Sequence, residues 1–118
     1  MSKRDTGMTG ENIALAFLEA NGFSLRERNY RTRQGEIDLV MSKGDTIVFV
    51  EVKYRRSKAF GTAAEGITPR KRERITAAAN AYLGAHGLPL TAESMFAAVT
   101  IDECGGNRTL GFIENIFA

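Results

Sequence analysis

Gly35-Glu36-Ile37-Asp38-Leu39-Val40, a short break, then Ile47-Val48-Phe49-Val50-Glu51-Val52-Lys53: these two runs decide the fold. Both read as strands, the second apolar and β-branched until it meets Glu51 and Lys53. Between them, Lys43-Gly44-Asp45-Thr46 places glycine before aspartate, which suits a two-residue type II′ hairpin turn. With Gly44-Asp45 as the turn, Lys43 faces Thr46, Val40 faces Phe49, Asp38 faces Glu51 and Glu36 faces Lys53. Side chains alternate along a strand, so Glu36, Asp38, Glu51 and Lys53 are expected on one face.

Such a face is electrostatically costly. Opposed side chains in a hairpin sit about 5 Å apart. Two ionised carboxylates at that distance repel by roughly 3 kcal/mol at an effective dielectric of about 20. Either one holds a proton or a cation lies between them. Hard oxygen donors on a rigid sheet favour Mg²⁺ or Mn²⁺. The competing reading is a solvated sheet edge whose carboxylates are shielded by arginines. Spacing alone leaves both open.

Composition narrows the class. A chain of 118 residues, 43% hydrophobic and 25% charged, suits one globular domain. The lone Cys104 can close no internal disulfide and has no zinc-type cluster around it. The opening Met1-Ser2-Lys3-Arg4-Asp5-Thr6-Gly7 is polar, without a signal core, and no run approaches a membrane span. The expected compartment is a reducing cytoplasm. Net charge is only +2, but 12 of the 16 lysines and arginines fall in three clusters. These are Arg26-Arg28-Arg31-Arg33, Lys53-Arg55-Arg56-Lys58 and Arg70-Lys71-Arg72-Arg74. One basic cluster is ordinarily just a solvated face. Three around an acidic hairpin fit a phosphate-bearing partner.

Along the chain, residues 1–8 are expected to be a flexible segment, with Thr9 capping a helix that ends at Asn21-Gly22. Ile13, Ala16, Phe17 and Ala20 form one stripe of that helix, and Glu11, Ala14, Leu15 and Leu18 a second. Glu11 is thus either a simple first-turn acid or an inward-pointing carboxylate. Phe23 to Tyr30 reads as a strand with exposed arginines. After Tyr54 a polar loop carries Phe60-Gly61 and Gly66. Thr68-Pro69 starts a second helix, stopped by Gly84 or Gly87, with Lys71 on the inward stripe of Ile75, Ala78, Ala79 and Tyr82. Arg70, Arg72 and Arg74 are expected to point elsewhere. His86 reads as a surface or capping residue. Ser94 to Asp102 is an apolar strand, Cys104-Gly105-Gly106-Asn107 a turn, and Leu110 to Ile116 a final strand.

Asp38, twelve residues, then Glu51-Val52-Lys53 resembles the D…(D/E)-x-K signature of the PD-(D/E)xK nuclease-like superfamily. A longer string extends the likeness: Gly10-Glu11, Asn29-x-Arg31, Gly35 to Val40, Phe49 to Lys53 with Arg55, Phe60-Gly61, and Lys71 with Arg74-Ile75. Together these resemble the YraN-like family of small predicted endonucleases over nearly the whole chain. The resemblance implies an α/β restriction-endonuclease-like core of order α-β-β-β-α-β, a mixed sheet flanked by helices, in a single domain. It also implies a Mg- or Mn-dependent phosphodiesterase site acting on DNA. Asp38 and Glu51 would be metal ligands, with the Val52 carbonyl a further donor. Lys53 would position the attacking water, Glu11 would complete the acidic site, and Glu36 would hold Lys53. Lys71 and Arg55 would bind substrate phosphate, with Arg31 and Arg70 extending the nucleic-acid-binding set. This chain departs from the family pattern at Met95-Phe96-Ala97, where an Arg-Phe-Asp run is typical. Two further readings stand beside the nuclease: a non-catalytic nucleic-acid-binding module, and a protein-interaction domain. A domain this small covers little duplex, so a homodimer is also an expectation.

Overall fold

The computed structural model describes residues 3–55, 68–89 and 93–117, with side chains described from Thr9 onward. Arg56, Lys58, Phe60-Gly61 and Gly66 lie outside the described residues. Helix α1 spans Lys3–Ala20, followed by strands β1 (Ser24–Arg31), β2 (Glu36–Lys43) and β3 (Thr46–Arg55). Helix α2 spans Pro69–Ala85, and strands β4 (Ser94–Cys104) and β5 (Asn107–Glu114) close the chain. Strand order in the sheet is β1-β2-β3-β4-β5, antiparallel except for the β3–β4 pair. This is the α-β-β-β-α-β core that the resemblance implies, followed by the final strand expected from the sequence.

Two layers of helix explain the composition of β3. Ala14 and Leu18 of α1 pack with Leu39, Met41, Val48, Val50 and Val99 on one face. Ile75, Ala78, Ala79 and Tyr82 of α2 pack with Val40, Ile47 and Phe49 on the other. A strand buried on both faces cannot alternate apolar with polar, so β3 runs apolar from Ile47 to Val50. Each large side chain removed from water here contributes roughly 1.5–3 kcal/mol.

The hairpin register is as expected from Lys43↔Thr46 through Val40↔Phe49 to Leu39↔Val50. Gly44 takes φ 60°, the positive value that the first position of a II′ turn requires. Helix α2 starts as expected, with Thr68 Oγ1 accepting from Lys71 N at 3.2 Å and Pro69 opening the helix. His86 is its C-cap.

Several boundaries differ from expectation. Thr9 does not cap α1, because the helix already begins at Lys3. The two stripes of α1 meet the core unequally: Ala14 and Leu18 are fully buried and Ile13 and Phe17 pack against the same cluster partly buried, whereas Ala16 and Ala20 are exposed. That bias turns Glu11 inward. The last turn is Gly105-Gly106 alone, so β4 continues to Cys104 and β5 starts at Asn107. Among the described residues no helix is long and apolar enough to cross a membrane.

Candidate active site

The β2–β3 ladder stops at Leu39↔Val50, and the site begins there. Beyond that point Asp38 turns its carboxylate into the gap between the strands, where Oδ2 accepts the Val52 N–H at 2.8 Å. A side chain has replaced a backbone carbonyl in the ladder. The expected strand pairings Asp38–Glu51 and Glu36–Lys53 therefore do not form. Glu36 instead pairs with its β1 neighbour Arg31, Oε2 to Nε 3.3 Å, on an exposed rim.

Convergence of the acidic groups survives the broken ladder. Asp38, Glu51 and Glu36 line one cavity of about 270 Å³ with Val52, Lys71 and Arg74. Glu51 is buried, and its Oε1 lies 2.9 Å from Lys71 Nζ and 3.7 Å from Lys53 Nζ. Lys71 reaches that oxygen because Thr68 and Pro69 fix the first turn of α2 over the strand ends, one turn ahead of buried Ile75. Gly35 permits the approach: a Cβ there would lie 2.0 Å from the Arg74 carbonyl oxygen.

Burial, and next the Glu51 charge, raise the Asp38 carboxyl to about 7, against the opposing bond from Val52 N–H. Glu11 and Glu36 add smaller pushes in the same direction. Lys53 is lowered to about 8, first by burial and then by the amine of Lys71 beside it, with Glu51 and Asp38 pulling the other way. Burial alone would lower Lys71 too, but its contacts with Lys53 and Glu51 outweigh that and raise it. Two amines on one carboxylate oxygen thus divide their roles. Lys71 holds the charge, and Lys53 is the readier to lose a proton near neutrality.

Glu11, on α1, lies near Asp38 but does not line the cavity. Burial raises its carboxyl, opposed by the Asn29 side chain and by the charges of Arg28 and Arg31. Its Oε1 is buried without a hydrogen bond, and Arg28 Nη2 stands 3.7 Å away, too far to satisfy it. Glu11 is close enough to raise the Asp38 carboxyl.

The remaining expected residues lie around this centre. Arg31 sits on the rim through Glu36. Arg55 is half-buried at the end of β3 and Arg70 is exposed on the first turn of α2, and neither lines the cavity. Arg74 does line it, contrary to the expectation that it points elsewhere. The signal was present, since Arg74 follows Lys71 by three residues and shares its helix face. Arg28 does not stay on an exposed face either: Nη2 donates to Asn12 Oδ1 at 2.7 Å. A register shift between Leu25 and Glu27 turns it toward α1.

A hard divalent cation takes carboxylate oxygens and keeps several waters. Asp38 and Glu51 supply such oxygens from one cavity, and a buried carboxyl held near neutrality is one that a cation would relieve. Glu36 shares the cavity from its exposed rim, and among the described residues no group of three or more His, Cys, Asp or Glu is placed to hold a metal ion. Asp38 and Glu51 are the residues that would hold such an ion.

The two-helix α/β domain with its five-stranded mixed sheet is consistent with an α-β-β-β-α-β nuclease-like core, and Glu51 of its β3 meets Lys53 of the same strand and Lys71 of α2. The profile described as "Uncharacterised protein family UPF0102" matches residues 10–102. The chain is similar to the UPF0102 protein of Brachyspira hyodysenteriae, 48% identical over 118 residues and covering 98% of both chains. It is also similar to that of Stutzerimonas stutzeri, 42% identical over 97% of this chain and 95% of the other. The chain belongs to the UPF0102 family, the YraN-like group that its motifs resemble.

Proposed function

We propose that the chain is a divalent-metal-dependent phosphodiesterase acting on DNA. The observation that supports this reading is the convergence of Asp38 and Glu51 in one cavity with Lys71 on Glu51 and Lys53 beside it. In this reading Asp38 and Glu51 hold Mg²⁺ or Mn²⁺. When bound, the ion supplies a more acidic water and withdraws charge from the phosphate. Lys53, with its amine lowered toward neutrality, exchanges a proton with the water and orients it. Lys71 and Arg74 hold a non-bridging phosphate oxygen, and Arg31, Arg55 and Arg70 extend the contact along the strand backbone. Glu11, with an oxygen lacking a hydrogen bond, takes a water of the acidic centre.

The test is calorimetric titration of Mg²⁺ and Mn²⁺ into wild type and Asp38→Ala, followed by cleavage of duplex, flap and single-stranded DNA. Binding that is lost in Asp38→Ala, with cleavage that is lost in Glu51→Ala and on chelation, is the expected result. Equal metal binding by both proteins would remove the reading.

One contact favours a second reading, a nucleic-acid-binding module without turnover. Lys71 already neutralises Glu51 at 2.9 Å, as a cation would. In that case Asp38→Ala strengthens DNA binding by deleting negative charge, and no metal heat appears.

A further inference from the structure

The sheet has two edges, and they differ in kind. Edge strand β1 is guarded by a register shift at Leu25/Glu27, a positive φ of 51° at Asn29, and arginines along its length. Those are the devices by which natural edges avoid pairing with another chain. Edge strand β5 has none of them. It pairs with β4 without a register shift from Asn107 to Glu114, contains no proline, and carries charge only at its ends, Arg108 and Glu114. Leu110 and Ile113 are the apolar residues it exposes, at 37% each. After Glu114 the chain turns at Asn115 (φ 52°), and Ile116 N–H bonds the Phe96 carbonyl at 3.0 Å. The tail therefore stays alongside β4, and among the described residues nothing pairs with the outer edge of β5.

We infer that this edge pairs with β5 of a second copy of the chain, antiparallel about a two-fold axis through Gly111. The register follows from the ladder. Gly105-Gly106 is a two-residue turn closed by Cys104↔Asn107. A closing pair of this kind exchanges hydrogen bonds, so alternation turns the N–H and C=O of Arg108, Leu110, Phe112 and Glu114 outward. Only a two-fold at Gly111 pairs all four of these residues with their counterparts, Arg108 with Glu114 and Leu110 with Phe112, for about eight new backbone hydrogen bonds. The same register sets opposite charges across from each other at both ends. Arg108 is bound to Glu103 within its own chain, Nε to Oε1 2.6 Å, yet its side chain stays 49% exposed. A guanidinium has donors enough for both carboxylates. An exposed ion pair contributes little affinity, so the charges choose the register and the edge hydrogen bonds and apolar pairs hold it.

This pairing stands without the proposed chemistry, but it has a geometric consequence for it. Lys53 lies level with Thr100, and Thr100 with Gly111, so the site sits at the height of the axis. The axis is normal to the sheet. Both cavities, each between β2 and β3, then open on one face of a ten-stranded sheet, six strand spacings or about 29 Å apart before twist.

Light scattering on the full chain, from low micromolar to near-millimolar concentration, tests the inference. Wild type is expected at twice the chain mass. Leu110→Pro, which deletes an N–H pointing away from β4, is expected at the monomer mass with an unchanged circular dichroism spectrum. A wild type that is monomeric throughout, or a Leu110→Pro dimer, overturns the pairing. Cysteines check the register independently of that variant. In a Cys104→Ser background, Thr109→Cys and Ile113→Cys chains face each other as a close non-hydrogen-bonded pair. Oxidising the mixture should give a cross-chain disulfide that neither chain forms alone. No link in the mixture, or equal links in the separate chains, overturns the register.

Discussion

A single carboxyl, that of Asp38, is central to the proposed chemistry and carries a cost in stability. Its folded value of about 7 lies above the ordinary 3.8, so the metal-free fold retains a proton that the unfolded chain has already released. The sign follows from linkage: stability is unaffected below about pH 4, falls as pH rises from there toward 7, and bears the whole penalty above. Asp38→Asn keeps an acceptor for the Val52 N–H and removes the penalty. In chelator at about pH 8 the variant is expected to be more stable by on the order of 2 kcal/mol, discounted for the solvent-facing side of the cavity, and equal to wild type near pH 4. Urea unfolding at both pH values measures this, and equal stability at the higher pH would mean that Asp38 is not held protonated. The same proton must leave when a cation binds. Mg²⁺ affinity is therefore expected to fall about tenfold per unit below pH 7, with close to one proton released per ion, read from calorimetry in buffers of different ionisation heat.

At the scale of elements, the site depends on how closely α2 approaches β2. The Arg74 carbonyl lies where a Cβ on Gly35 would be, at 2.0 Å. Backbone on both sides cannot give way cheaply, so Gly35→Ala is expected to cost about 2 kcal/mol or more and to tilt the first turn of α2. Lys71 rides on that turn, so the variant should also bind DNA more weakly in fluorescence anisotropy, whereas Thr68→Ala, which removes only the cap, should cost about 1 kcal/mol. Thermal melts of the two variants separate the cases. These elements also show how far the sequence could be read. Glycine before aspartate fixed the turn, and strand alternation carried the register correctly to Leu39↔Val50. It failed at Asp38 because strand patterning cannot anticipate a side chain that takes a ladder position for itself. The start of α1 was missed because Thr9 has the chemistry of a cap but lies inside a helix that begins at Lys3. Glu11 could be placed only once the sheet had selected which stripe of α1 to cover more fully.

At the scale of the whole molecule, the basic side chains among the described residues separate into those gathered about the cavity and those held elsewhere. Lys71 and Arg74 line the cavity and Arg31 flanks it through Glu36, so a phosphate backbone lying over the site meets all three. Arg72, on the same helix, is turned away: Nη2 donates to the Phe117 carbonyl at 3.2 Å and the guanidinium lies 5.1 Å from that ring. Arg26 is likewise engaged, its Nε donating to Tyr82 Oη at 2.7 Å. Binding to DNA through phosphates releases counterions, so the logarithm of affinity falls linearly with the logarithm of salt, by about 0.9 per phosphate contacted. Arg74→Ala and Arg31→Ala are each expected to lower that slope by about one, and Arg72→Ala to leave it unchanged. Fluorescence anisotropy on one labelled duplex across a salt series measures all three. If Arg72→Ala lowers the slope as much as Arg74→Ala, the nucleic acid does not lie over the cavity, and the carboxylates there serve the fold rather than a phosphodiester.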